Sequence, residues 1–155
     1  MRHAGDTMTD TMRRREALSV LTKATLAELR TAVDAIPGKP ELSVLRPAEI
    51  GLVMVRGRIG GDGDAFNLGE ATVARAAVAL PTGEIGHGHV LGRDKEKAQL
   101  IAILDALGQA PAYRDAVATV ALPPIRARLT AERVRLAAQT AATRVDFFTV
   151  QRGED

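Results

Sequence analysis

Apolar residues recur with a helical period at both ends of this chain and with a strand period in its middle. In residues 10–23, Ala17, Leu18 and Leu21 fall on one face of a predicted helix, with Arg13, Arg14 and Arg15 on the exposed side. Thr25-Leu26-Ala27-Glu28 has the form of a capping box, in which hydroxyl and carboxylate each take one of the unpaired N–H groups of a helix start. The stripe Leu26, Leu29, Val33 and Ile36 then marks a second helix, and Pro37-Gly38-Lys39-Pro40 ends it. The pattern changes after Pro40. Residues 42–45 read as a short strand closed by Arg46-Pro47, and residues 50–59 as a longer one rich in β-branched side chains. In the longer strand Arg56 and Arg58 share a face opposite Val53 and Val55. Gly60-Gly61-Asp62-Gly63-Asp64 is a turn, and residues 66–80 form a third strand region. There Thr72, Ala74, Ala76 and Val78 lie on one face. Pro81-Thr82-Gly83-Glu84 is a hairpin turn, and residues 85–91 make a fourth strand.

A long helix follows, capped by Asp94, with Leu100, Ile101, Leu104 and Leu107 on its apolar stripe. It stands between a β-rich half and a helical half and is the expected packing partner of the sheet. Beyond it, residues 112–120 read as a short helix. Pro123-Pro124 predicts an extended link. Thr130 would cap a last helix whose inward face is Val134, Ala137, Ala138, Ala141 and Val145. Short connections between strands favour antiparallel pairing, because parallel strands need long crossovers. The expected fold is α+β: an antiparallel sheet of about four strands with N-terminal and C-terminal helices packed on it. Residues 1–8 read as a disordered tail and residues 9–155 as one domain.

Composition narrows the function classes. The chain has 155 residues, long enough to bury a real core. Aromatic residues are only 3%, so Leu, Val, Ile and Ala must fill that core. There is no cysteine, which excludes thiol catalysis and disulfides and fits a cytoplasmic protein. No apolar run reaches the length of a membrane span, and no apolar stretch follows the basic cluster near Arg14 as a secretory signal would require. Neither a membrane nor a nucleic-acid partner is expected. The 21 basic residues nearly balance 19 acidic ones, and the pI of about 9.4 reflects arginines that do not titrate below very high pH.

Few residues suggest chemistry. Arg93 and Lys95 flank Asp94 at a helix start, where free N–H groups and the helix dipole favour an anion. They and Arg58 are the candidate anion contacts; the alternative is that Asp94 merely caps and the cations are solvated. His87 and His89 alternate on one strand face, but no third metal ligand is placed by spacing, so no metal site is assigned. Gly86-x-Gly88-x-x-x-Gly92 lacks the flanking strand–helix–strand pattern of a dinucleotide site and reads as glycines easing the twist of an edge strand. Asp62-Gly63-Asp64 is turn chemistry without the remainder of a calcium loop. Arg144, Asp146, Phe147, Phe148 and Arg152 cluster charge and two of the three phenylalanines near the C-terminus, where an apolar pair needs cover from the core or a partner. No nucleophile–base pair or catalytic carboxylate pair is legible.

Taken together and in order, Gly51-Leu52-Val53, Arg58-Ile59-Gly60-Gly61-Asp62-Gly63, Arg75-Ala76-Ala77-Val78, Gly92-Arg93-Asp94-Lys95 and Arg144-Val145-Asp146-Phe147-Phe148-Thr149 with Arg152-Gly153 resemble the PhnG family. This family supplies the small G subunit of the bacterial carbon–phosphorus lyase core complex. The resemblance implies a role in phosphonate catabolism beside the H, I and J subunits and the ATPase-like L subunit. It implies a share in the step that displaces adenine from MgATP by methylphosphonate, giving ribose 1-methylphosphonate 5-triphosphate. MgATP is then a substrate of the complex, and no cofactor is expected in this chain. Catalysis by this chain alone is not expected, and its sheet and C-terminal residues would dock on the I subunit. His87 and His89 depart from the family pattern. The competing class is a free-standing nucleotide- or nucleic-acid-binding module.

Overall fold

The computed structural model describes the backbone of residues 4–143 and the side chains of residues 10–143. Its elements are α1 (Ala4–Leu21), α2 (Leu26–Asp34), β1 (Ser43–Arg58), β2 (Ala65–Ala79), β3 (Ile85–Leu91), α3 (Lys95–Gln109), a single turn α4 (Arg114–Ala116), a π-helical turn (Val117–Ala121) and α5 (Leu122–Ala142). The sheet is antiparallel in the order β1-β2-β3. Helix α1 starts at Ala4, so residues 4–8 of the expected tail belong to a helix.

Three strands, not four, make the sheet. The two segments expected on either side of Arg46-Pro47 are one continuous β1, with irregular register between Val44 and Arg46 and between Arg46 and Glu49. Pro47 cannot donate to a ladder, but it sits in an edge strand at an irregularity, the place where a missing N–H does least harm. Both predicted turns form. Gly60 and Gly61 have φ of 63° and 91°, and the Leu80 N–H donates to the Glu84 carbonyl at 2.9 Å.

Helix α3 lies across one face of the sheet, against β3 and proximal β2, as its apolar stripe requires. Ile101, Leu104 and Leu107 are fully buried there, together with Val78; Leu21, Leu29 and Ile125 come in from α1, α2 and α5, and Ile36 from the turn after α2. The capping box of α2 is complete: Thr25 Oγ1 accepts from the Glu28 N–H at 3.2 Å, and Glu28 accepts from the Thr25 N–H at 2.7 Å.

Gly86 and Gly88 have a different purpose from easing twist. They face α3 so closely that a methyl group at Gly88 would run into the Ala98 carbonyl oxygen, and one at Gly86 into that of Ala102. Their missing side chains set how near helix and strand approach. With Ala74, Ala76, Ala98, Ala102 and Ala106, all buried, they form a thin interface of small residues.

The helical half departs from expectation at Pro123-Pro124. These prolines occupy the first turn of α5, directly after the π-helical turn, where φ near −65° is already helical. The π turn before them makes this possible: the Leu122 N–H reaches back to Val117 O, five residues away. The helix therefore continues where an extended link was expected. Its distal face, Val134, Ala137, Ala138 and Ala141, is exposed rather than inward. Val145 lies outside the described residues.

Candidate functional site

The start of α3 is the first place to look for anion chemistry. Gly92, with φ of 97°, turns the chain out of β3, and its N–H donates to Thr72 O at 2.9 Å. Asp94 then caps the helix by accepting from the Lys97 N–H at 2.9 Å. Glu96 sits in the first turn and pairs with Arg30 through two hydrogen bonds of 2.6 and 2.7 Å. Those bonds lower the Glu96 carboxyl and raise the Arg30 guanidinium from their ordinary values. Two carboxylates thus already face the positive end of the helix. Arg93 and Lys95 are exposed.

Arg58 does not join them. It lies near the tip of the β1–β2 hairpin and donates to Gly63 O at 3.2 Å. Leu52 is the β1 residue paired with Thr72, and six further residues of strand put Arg58 about 20 Å along the hairpin.

His87 and His89 are both exposed on the sheet face away from α3. Arg75 stands opposite His89 in the register. Its guanidinium is held by Glu49 at 2.8 Å and lies across Gly51, where a side chain would meet it at 3.6 Å. No cluster of three or more His, Asp or Glu side chains able to hold a metal occurs among the described residues.

One buried charge escaped sequence reasoning. The Asp105 side chain is 2% exposed. It accepts from Arg14 Nε at 2.9 Å and Nη2 at 2.8 Å, and from the His87 backbone N–H at 2.8 Å. One carboxylate therefore ties α1, β3 and α3 together, and it raises the Arg14 guanidinium. The available signal is a lone acid amid Leu104, Ala106 and Leu107, matched by the Arg13–Arg15 cluster, which the helical pattern alone places on the exposed side. A cleft of about 810 Å³ opens beside this pair, with Leu18, Val117, Arg114 and Arg126 in its walls. Its cations are already engaged: Arg126 by Glu16 at 2.6 Å, Arg114 by Asp10 at 3.7 Å.

A further feature of the surface is apolar. The distal β1–β2 hairpin extends past the end of α3 and exposes Leu52 (58%), Met54 (54%) and Leu68 (62%), with Ile59 at its tip (70%). Leu52 and Met54 continue the face that α3 covers elsewhere. Contiguous exposed apolar surface is a common feature of interaction sites.

Comparison with known proteins decides the family. Residues 12–153 match the family model described as "Phosphonate metabolism protein PhnG". The chain belongs to the PhnG family. It is 59% identical over 142 residues, 92% of this chain and 90% of the relative, to a Rhizobium meliloti (strain 1021) protein named "Alpha-D-ribose 1-methylphosphonate 5-triphosphate synthase subunit PhnG". The family resemblance carried by the ordered motifs is therefore correct. Of the motif residues of this PhnG-family chain, Arg144, Asp146, Phe147, Phe148 and Arg152 lie outside the described residues. No helix among the described residues is long and apolar enough to cross a membrane.

Proposed function

We propose that this chain is a subunit of a ribose 1-methylphosphonate 5-triphosphate synthase in phosphonate catabolism, and that it serves assembly rather than bond-making. The observation that carries the reading is the 59% identity over nearly the whole chain to a protein named as that subunit. Its partners in this reading are the H, I and J subunits of the carbon–phosphorus lyase core and the ATPase-like L subunit, with MgATP as the substrate of the assembly and the cytoplasm as its location.

The reaction displaces adenine from the anomeric carbon of MgATP by a phosphonate oxygen. It needs a placed nucleophile, a stabilised leaving base and cations around the triphosphate. The features of this chain speak for a share in the last need at most. Arg93 and Lys95, exposed beside a helix start, are suited to approach an anion held by a neighbouring subunit, whereas Arg58 on its hairpin is suited to a separate contact. The exposed apolar hairpin supports an assembly role, since Leu52, Met54 and Leu68 would otherwise remain in water. The residues Arg144, Asp146, Phe147, Phe148 and Arg152 are proposed as a second docking segment, with the I subunit as the partner.

The test is adenine release from MgATP and methylphosphonate by the other synthase subunits, with and without this chain, while assembly is followed by size-exclusion chromatography. Loss of both complex and turnover without the chain supports the reading. Equal turnover without it overturns it. Replacing Arg93 and Lys95 by Ala separates the two roles: adenine release falls while assembly persists if they approach the triphosphate.

A further inference from the structure

Helix α5 is anchored by its first half only. Leu122 and Ile125 are buried and Leu129 packs partly against the core, but every residue from Thr130 to Thr143 is exposed. A free helical stretch of this length is marginal in water, where helix stability comes mainly from packing an apolar face. At about 100° per residue, Val134, Ala137, Ala138 and Ala141 form one stripe, with Arg133 on one flank and Arg135 on the other. Val134 on this stripe and Leu136 on the opposite side, in line with Leu122, Ile125 and Leu129, are each 64% exposed.

The polar groups of this segment are unequally satisfied. Thr140 Oγ1 donates to Leu136 O at 3.0 Å and Thr143 Oγ1 to Thr140 O at 2.9 Å, so these hydroxyls need no outside partner. Arg126 is paired with Glu16 at 2.6 Å, and Arg128 with Glu28 and Glu132 at 2.7 and 2.8 Å. Arg133 and Arg135 have no carboxylate partner among the described residues.

Charge selects the occupant. A second copy would bring four arginines and one glutamate of α5 against the same set, and that glutamate is already engaged by Arg128. A nucleic acid would leave Val134 in water and find two free cations and no aromatic side chain in α5, whereas phosphate backbones are held by many cations and single-stranded bases by stacking. A lipid surface could bury Val134 or Leu136 but not both, since the two lie on opposite sides of the helix, and the Val134 side otherwise carries only alanines with little area to bury. The match is a protein groove with an apolar floor and acidic rims.

We infer that the distal half of α5 docks in such a groove on another subunit of the synthase, Val134 and the alanine stripe on its floor and Arg133 and Arg135 paired with carboxylates on its two rims. This rests on the subunit reading above. It assigns an interaction surface separate from the β1–β2 hairpin.

The experiment titrates the full chain into the remaining synthase subunits at several salt concentrations. R133E/R135E is expected to weaken binding about 10- to 100-fold and to flatten its salt dependence. R133K/R135K retains the salt dependence, and Val134→Ser, which changes no charge, weakens binding with the salt slope unchanged. Both arginines are exposed, so the far-UV circular dichroism of the free chain stays the same. Wild-type affinity and salt slope in R133E/R135E overturn the inference while leaving the subunit reading intact. So does a self-association of the free wild-type chain that R133E/R135E abolishes, or an arginine-dependent binding to phosphatidylglycerol vesicles with complex affinity unchanged. Failure of the wild-type chain to join the complex removes the subunit reading and this inference together.

Discussion

Two acidic side chains hold the helical layer in place, and each makes a distinct expectation. Asp105 is buried with three donors on it, two from Arg14 and one from the His87 backbone. Asp105→Asn keeps the shape but removes the charge and turns one acceptor into a donor facing Arg14. Leaving such donors unmatched costs about 1–3 kcal/mol, and urea denaturation should show the loss. Glu28 is pulled down to about 2, first by its hydrogen bonds to Arg128 and further by the Thr25 N–H and hydroxyl. Its folded value lies below its unfolded one, so its contribution is present above about 4.3 and is lost as the pH falls through that value towards 2. The urea midpoint of the wild type should drop across this acid window, and Glu28→Gln should show a shallower drop there. An equal slope in the variant would contradict the assignment. Neither acid advertised its tertiary partner. The capping role of Glu28 is local and legible in Thr25-Leu26-Ala27-Glu28, whereas its pairing with Arg128 spans 100 residues.

At the scale of elements, local signals carried far and long-range ones did not. Asp94, the α3 stripe and both turns were legible because each depends on neighbours within four residues. The interruption at Pro47 and the link at Pro123-Pro124 were misread because the position of a proline within an edge strand or a first helical turn decides its effect. That position follows from pairing and packing rather than from the proline itself. Gly86 and Gly88 show the same limit: their alternation was visible, but the helix backbone that excludes a side chain came from Ala98 and Ala102. Gly88→Ala should therefore destabilise the fold by about 3 kcal/mol or more, since α3 must lift off the sheet. Gly51→Ala, whose methyl meets only the Arg75 guanidinium at 3.6 Å, should stay within about 0.5 kcal/mol. Thermal or urea unfolding of the pair checks the claim; similar losses at both sites would refute it.

The whole molecule joins a well-filled core to two projecting elements, the β1–β2 hairpin and distal α5. The reading of α5 as inward-facing failed because an amphipathic stripe says that a helix is covered, not by what. Arg58, Arg93 and Lys95 were grouped by residue type, and the fold separates Arg58 from the other two by the length of a hairpin. The ordered motifs were a better guide to function than any single site, since they led to the family that the comparisons establish. An assembly role depends most on the exposed apolar hairpin. The most direct measurement is adenine release, with size-exclusion chromatography, by synthase assembled with wild-type chain or with Leu52→Asp/Met54→Asp. Both side chains are more than half exposed in the free chain, so the variant should fold with wild-type stability. The account predicts that it fails to join the complex and restores no adenine release. A variant that joins and supports wild-type release would contradict it.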